Sequence, residues 1–329
     1  MSKAGKTKSK AEREVRIVKN KVKSPLEDID IDAFKFPADQ ISASSDFLKQ
    51  PIDALLKNFG DMDALCYFPF VAARELTKQE IEFHITLSAL LTDQNWRDVH
   101  SSKGPSKKYL KIHRKITKEY MKEHPINAIA ERVDAYHAQL LRDEAVTRAV
   151  ETLSVSLTIM LWTSYECFTK DVWICAVNTF PRELGLEAFK NTQKQRNGDI
   201  SPKLIPVRLL ADYDFDLKNV LGNVLSTRYE FTSIQGIQRA FKSAFGSKID
   251  FRKIISKKEI KQLEMVRHLL VHRAGIVDEI FCKQFKKKMR IGQQYHPDGK
   301  LISQAAKAVK SSCIKLIQSI HEWALPIVR

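Results

Sequence analysis

Arg267, His268 and His272 fall close together in the run ISKKEIKQLEMVRHLLVHRAGIVDEIF, residues 255–281. A guanidinium is a permanent cation with a rigid fork of donors. On the flank of a packed helix it needs a carboxylate, a phosphate or a partner chain. An imidazole titrates near neutral pH, which is what general acid–base chemistry requires. The pair His268 and His272 also has the i, i+4 spacing that can share a metal. Leu269, Leu270 and Val271 lie between them, so the glutamate of a metalloprotease helix is missing, and no third ligand is evident. No metal and no cofactor are expected.

One helix must carry all three residues. Ile260, Leu263, Val266 and Leu270 recur at three- and four-residue steps and form an apolar stripe. Ser256 and Glu259 have capping-box spacing, with Ile255 and Ile260 placed as a hydrophobic staple. Gly275 fits the left-handed position past the C-terminus. The expected helix is 257–274, with Arg267 roughly 45° from the centre of the stripe.

This segment resembles the HEPN superfamily of helical RNases and RNA-associated domains. The signature there is an arginine, a polar residue, then a histidine four to six positions after the arginine, here Arg267, His268 and His272. The turn Gly275-Ile276-Val277-Asp278 looks especially like RiboL-PSP-HEPN-type and related defence proteins. SLTIMLWTSYECFTKDVW (156–173), with Glu166, is similar to the first long helix, and YEFTSIQGIQRAFKSAFG (229–246) to the middle helix. The resemblance covers about 146–325.

It implies a helical bundle that dimerises with its two motifs facing each other. It also implies a metal-independent endoribonuclease leaving 2′,3′-cyclic phosphate and 5′-hydroxyl ends. Arg267 would hold the scissile phosphate, and His272 would move a proton at the 2′-hydroxyl or the leaving oxygen. His268 would fill the polar position, and Glu166 would orient Arg267 or face solvent. RNA would be chosen because the 2′-hydroxyl is the nucleophile. Action as a toxin or anti-phage effector, with an antitoxin or defence-system partner, follows from the resemblance alone. Some such toxins carry a tyrosine two positions after the histidine; here Ala274 stands there, which departs from that mode of silencing. On a straight helix Arg267 and His272 diverge by roughly 140°. One helix converges them poorly, whereas two copies about a two-fold axis could share a site. The alternative is a non-catalytic HEPN protein that binds RNA or organises a complex. A third reading, binding or modification of DNA, lacks a supporting carboxylate cluster.

The charge balance agrees with a polyanionic partner. The 329 residues hold 55 Lys and Arg against 39 Asp and Glu, a net +16. Residues 1–24 carry nine basic and two acidic residues and read as a disordered tail. Residues 103–122 carry eight basic residues and one Glu, with Tyr109, Ile112, Ile116 and Tyr120 at helical steps. Lys107, Lys108, Lys111, Arg114 and Lys115 are therefore candidate RNA contacts, and so are Lys286, Lys287 and Lys288 in the cluster 283–290.

Eleven Gly and eleven Pro, with much Lys, Glu, Leu and Ala, point to a mainly α protein. The expected organisation is a tail at 1–24, an N-terminal domain of unknown type at 25–145, and a HEPN-like helical bundle at 146–329. The N-terminal domain would sense a trigger, bind RNA or hold a partner. Within it, 44–60 reads as a short helix ending at Gly60. DALCYFPFVA (63–72) reads as a short edge strand, and Thr77 with Glu80 reads as the start of a helix to Thr92. Two helices fill 126–180, joined near Arg142–Val146. NTQKQRNGDISPK (191–203) is a loop, and helices follow at 204–212, 215–227 and 233–244.

Five cysteines without a CxxC pair suit a reducing cytoplasm. The basic start has no apolar run after it, so no secretory signal is expected. The longest uncharged stretch, Thr152–Tyr165, is 14 residues, too short for a membrane span of about 20. No phosphate-binding glycine loop, GxSxG elbow or paired CxxC occurs.

Overall fold

A computed structural model describes residues 26, 28–37, 41, 46–92, 105–193, 207–215, 217, 219–285 and 289–328. The fold is mainly α. The helices are α1 (Lys49–Thr92), α2 (Lys107–Glu123), α3 (Ile126–Leu140), α4 (Glu144–Thr179), α5 (Leu186–Gln193) and α6 (Val207–Ala211). They continue with α7 (Leu221–Ser226), α8 (Ile234–Phe245), α9 (Phe251–Ile255), α10 (Lys258–His272), α11 (Glu279–Phe285) and α12 (Gly299–Val328). Among the described residues the β structure is an isolated antiparallel bridge, Ile276 to Gln294. No helix among them is long and apolar enough to cross a membrane.

Two compact units emerge, one from Tyr67–Val150 and one from Pro25–Cys66 with Glu151–Arg329. Residues 25–66, expected in the N-terminal domain, pack with the C-terminal half. The physical reason is long-range: the Asp30 N–H donates to Ser303 Oγ at 2.7 Å, and Ala33 and Phe34 are buried.

The strand expected at 63–72 is helix. Leu48, Ile52, Leu55, Phe59, Met62 and Cys66 are buried at steps of three and four, which only a helix satisfies. Of the aromatics that resembled a strand, Tyr67 and Phe68 face outward, with Phe68 65% exposed, while Phe70 stacks on His137. Gly60 lies inside the helix, and so does Pro69. Thr77 is not a cap; its hydroxyl donates to the Ala73 carbonyl one turn back, at 2.9 Å.

In the first unit Ser106 caps α2 by accepting from the Tyr109 N–H at 3.1 Å. Arg132 joins α3 to α1 and α2, reaching Glu80 Oε1 at 2.7 Å and Tyr120 Oη at 2.8 Å. The joint between α3 and α4 falls at 141–143, where Asp143 Oδ1 accepts from the Ala145 and Val146 N–H groups.

The second unit is built on α4 and α12. Leu157, Leu161, Tyr165, Phe168, Val172 and Ala176 form the inward stripe of α4. Ile302, Val309, Cys313, Leu316 and Ile320 form that of α12. Ser312 Oγ gives its one proton to the Ile254 carbonyl at 2.9 Å, so the Tyr165 hydroxyl donates to Ser312 Oγ, also at 2.9 Å. Three helices share this buried relay. Trp173 Nε1 donates to the Ala240 carbonyl at 2.9 Å and ties α4 to α8. Replacing Ser312 with Ala orphans the Tyr165 hydroxyl and should cost about 1–3 kcal/mol in urea unfolding. Adding Tyr165→Phe should recover part of that loss; full additivity would mean the relay is not a unit.

Candidate functional site

Helix α10 is held by its neighbours more than by a cap of its own. The Ser256–Glu259 box does not form. Ser256 instead ends α9, its N–H bonded to the Arg252 carbonyl at 3.0 Å, and its hydroxyl accepts from the Gln238 side chain. Lys257 stands at the N-cap without a side-chain cap bond. Glu264 projects across to α8 and accepts the Ile234 N–H at 2.8 Å. Burial pushes the Glu264 carboxyl above its ordinary value, against the pull of that N–H.

The helix ends at His272, two residues before the sequence boundary of 274. The Leu269 carbonyl accepts from both Arg273 N, at 3.0 Å, and Gly275 N, at 3.1 Å. Ala274 and Gly275 are both left-handed, with φ of 50° and 79°. The chain then pairs with 292–295: Tyr295 N donates to the Gly275 carbonyl at 2.9 Å, and Gln294 Nε2 to the Ala274 carbonyl at 2.9 Å. Val266, Leu269 and Leu270 pack against Val277, Phe281, Phe285 and Tyr295. The floor under the motif is therefore apolar and fixed.

Arg267 and His272 converge, contrary to the straight-helix expectation. Arg267 Nη1 lies 3.4 Å from His272 Nε2. The arginine stem is long enough to follow the helix surface for more than a turn, and the last turn leaves His272 unobstructed. A guanidinium only donates, so a hydrogen bond here makes Nε2 the acceptor and places the ring proton on Nδ1. The His268 ring stacks obliquely on His272, with centroids 4.6 Å apart. His268 and His272 are exposed and Arg267 is half-buried.

Arg267 Nε is enclosed and has no hydrogen-bond partner among the described residues. Among the described residues no carboxylate stands within ion-pair distance of it. Glu166 does not join the site by any polar contact; its carboxylate accepts from Trp162 Nε1 at 3.0 Å. The indole one turn earlier on the same helix satisfies it first. Among the described residues, no third His, Cys, Asp or Glu joins the two histidines as a metal cluster.

The sequence reading misses Arg273 and Asp278, which pair at 3.5 Å beside His268. The three residues line one cleft of about 290 Å³, walled by Leu269, Ile280 and Phe281. The signal was present in Asp278, read only as part of a turn. That aspartate also caps α11 through the Phe281 N–H at 2.7 Å.

Lys107, Lys108, Lys111, Arg114 and Lys115 are all exposed on α2, in the other unit. Lys107, Lys111, Arg114 and Lys118 fall within a narrow stripe at about 100° per residue. Lys286, Lys287 and Lys288 lie outside the described residues.

A Cβ at position 275 would stand 2.5 Å from Gln294 Nε2 and 3.3 Å from the Tyr295 carbonyl. Gly275→Ala should therefore lower stability by about 1–2 kcal/mol from the left-handed backbone alone, read by denaturant titration. An unchanged midpoint would contradict the turn described. No family model, curated protein or solved structure matches this chain, so the site stands on its own geometry.

Proposed function

We propose that the chain is a metal-independent endoribonuclease whose site is Arg267, His268 and His272. The observation that carries the reading is the Arg267 guanidinium, with its Nε enclosed and unpartnered and its Nη1 against an imidazole. A cation left without a carboxylate beside two proton-transfer groups is suited to a phosphodiester.

The chemistry balances on these residues. His272 Nε2, as a lone-pair nitrogen, takes the proton of the ribose 2′-hydroxyl. The 2′-oxygen attacks phosphorus and the bond to the 5′-oxygen breaks. His268 in its protonated form returns a proton to that leaving oxygen. Arg267 neutralises the charge that grows on the non-bridging oxygens. The products are a 2′,3′-cyclic phosphate and a 5′-hydroxyl.

The stripe on α2 supports a polyanionic substrate, because exposed cations at helical spacing present a line of positive charge to a phosphate backbone. The five free thiols fit work in a reducing cytoplasm. Assembly as a homodimer and a role as a toxin or defence effector belong to the same proposal. Light scattering and growth arrest on expression test them.

The direct test is cleavage of RNA in EDTA. Wild type should cut and leave cyclic phosphate ends. His272→Ala and Arg267→Ala, with unchanged circular dichroism, should each lose about 10²–10⁴-fold. Equal activity in all three, or activity restored only by a divalent metal, would overturn the proposal.

A further inference from the structure

A second cationic centre lies in the same unit, formed by residues that take no part in the Arg267 site. The segment 35–37 lies over α12, and Lys310 Nζ fastens it by donating to the Asp32 carbonyl at 3.2 Å and the Lys35 carbonyl at 2.8 Å. Beside this clamp is a cleft of about 570 Å³, lined by Lys35, Lys307, Lys310 and Lys315. One wall is apolar: Phe36, Pro37 and Ile314. Lys257 reaches its edge, with Nζ donating to Ser311 Oγ at 2.7 Å.

The charges in this cleft are not balanced. Lys307 pairs with Asp30 at 2.5 Å and Lys35 with Asp32 at 2.7 Å. Lys310 gives its hydrogen bonds to neutral carbonyls. Lys315 is exposed, with no carboxylate partner among the described residues. Burial, and then repulsion from Lys307, lowers the Lys310 ammonium from its ordinary value. Burial, and then Lys315, does the same to Lys257. A half-buried ammonium beside a second, exposed cation, as Lys310 is beside Lys307 and Lys257 beside Lys315, is relieved by a compact polyanion.

The arrangement also selects the kind of polyanion. The α2 cations run in a line along one helix, which suits a polymer backbone. Here lysines from two separate segments, at 35 and 307–315, line one cleft, and Lys257 bonds Ser311 at its edge. Its volume is that of a small-molecule site, and the apolar wall offers a face to a flat ring. We propose that this cleft binds the di- or triphosphate of a small nucleotide-class ligand, with Lys310 and Lys315 holding the phosphates and the Phe36–Ile314 wall the ring.

Calorimetric titration of the full chain with pyrophosphate and with ATP tests this, using Lys315→Gln and Lys315→Arg as variants. Lys315 is exposed, so neither change should move the ligand-free unfolding midpoint. Pyrophosphate and ATP should compete for one site per chain. Lys315→Gln should weaken both about tenfold, Lys315→Arg should restore them, and Arg267→Ala should leave both unchanged. No saturable binding by about 10 mM would overturn the proposal. So would affinity indifferent to Lys315→Gln, or displacement of pyrophosphate by single-stranded RNA but not by ATP.

Discussion

A guanidinium cannot be enclosed without a partner at low cost, and Arg267 sits next to Val266, which has no exposure at all. Its Nε is covered and unbonded. The helix around it has one face committed to the core, and the surrounding contacts press on that face. What remains for Arg267 is the outer edge, where its Nη1 meets His272. A site with an unspent cation and two imidazoles results from this conflict between packing and charge.

Support for that edge comes from the contacts of α10 with its neighbours and from the turn that follows it. Glu264 caps α8, and the relay from Tyr165 through Ser312 to Ile254 joins three helices behind it. At the other end, the doubly accepting Leu269 carbonyl and the left-handed pair Ala274 and Gly275 stop the helix at His272. The bridge to 292–295 then holds the exit rigid, so the histidine is presented by fixed backbone on both sides.

The helical class, the break between α3 and α4 and the glycine turn at 275 were legible because each rests on short-range chemistry: periodicity, breakers and a positive φ. The core positions of α10, Ile260, Leu263, Val266 and Leu270, follow from the same periodicity. The failures share a different cause. At 63–72 the aromatic content outweighed the helical step of Phe59, Met62 and Cys66. Ser256 and Thr77 carried cap spacing, yet tertiary partners claimed both: Gln238 took Ser256, and a continuous helix left Thr77 nothing to cap. Glu166 was left between orienting Arg267 and facing solvent, because sequence cannot show that Trp162 bonds its carboxylate. The straight-helix angle between Arg267 and His272 ignored side-chain length, and so missed their contact. The lysine cleft over α12 joins residues more than two hundred positions apart and has no local signature.

The central claim is that, in the proposed mechanism, Arg267 and His272 act on one scissile phosphodiester, Arg267 at its non-bridging oxygens and His272 at the neighbouring 2′-oxygen. The most direct measurement is nitrogen-detected NMR of the Arg267 Nε–H and the His272 ring during titration with an RNA oligonucleotide whose cleavage position is blocked by 2′-O-methylation, which keeps the 2′-oxygen and prevents cleavage. The two signals should shift together and saturate at one concentration, and Arg267→Ala should abolish the response at His272. Binding of the oligonucleotide with both signals unmoved, or a His272 response that survives Arg267→Ala intact, would contradict the claim.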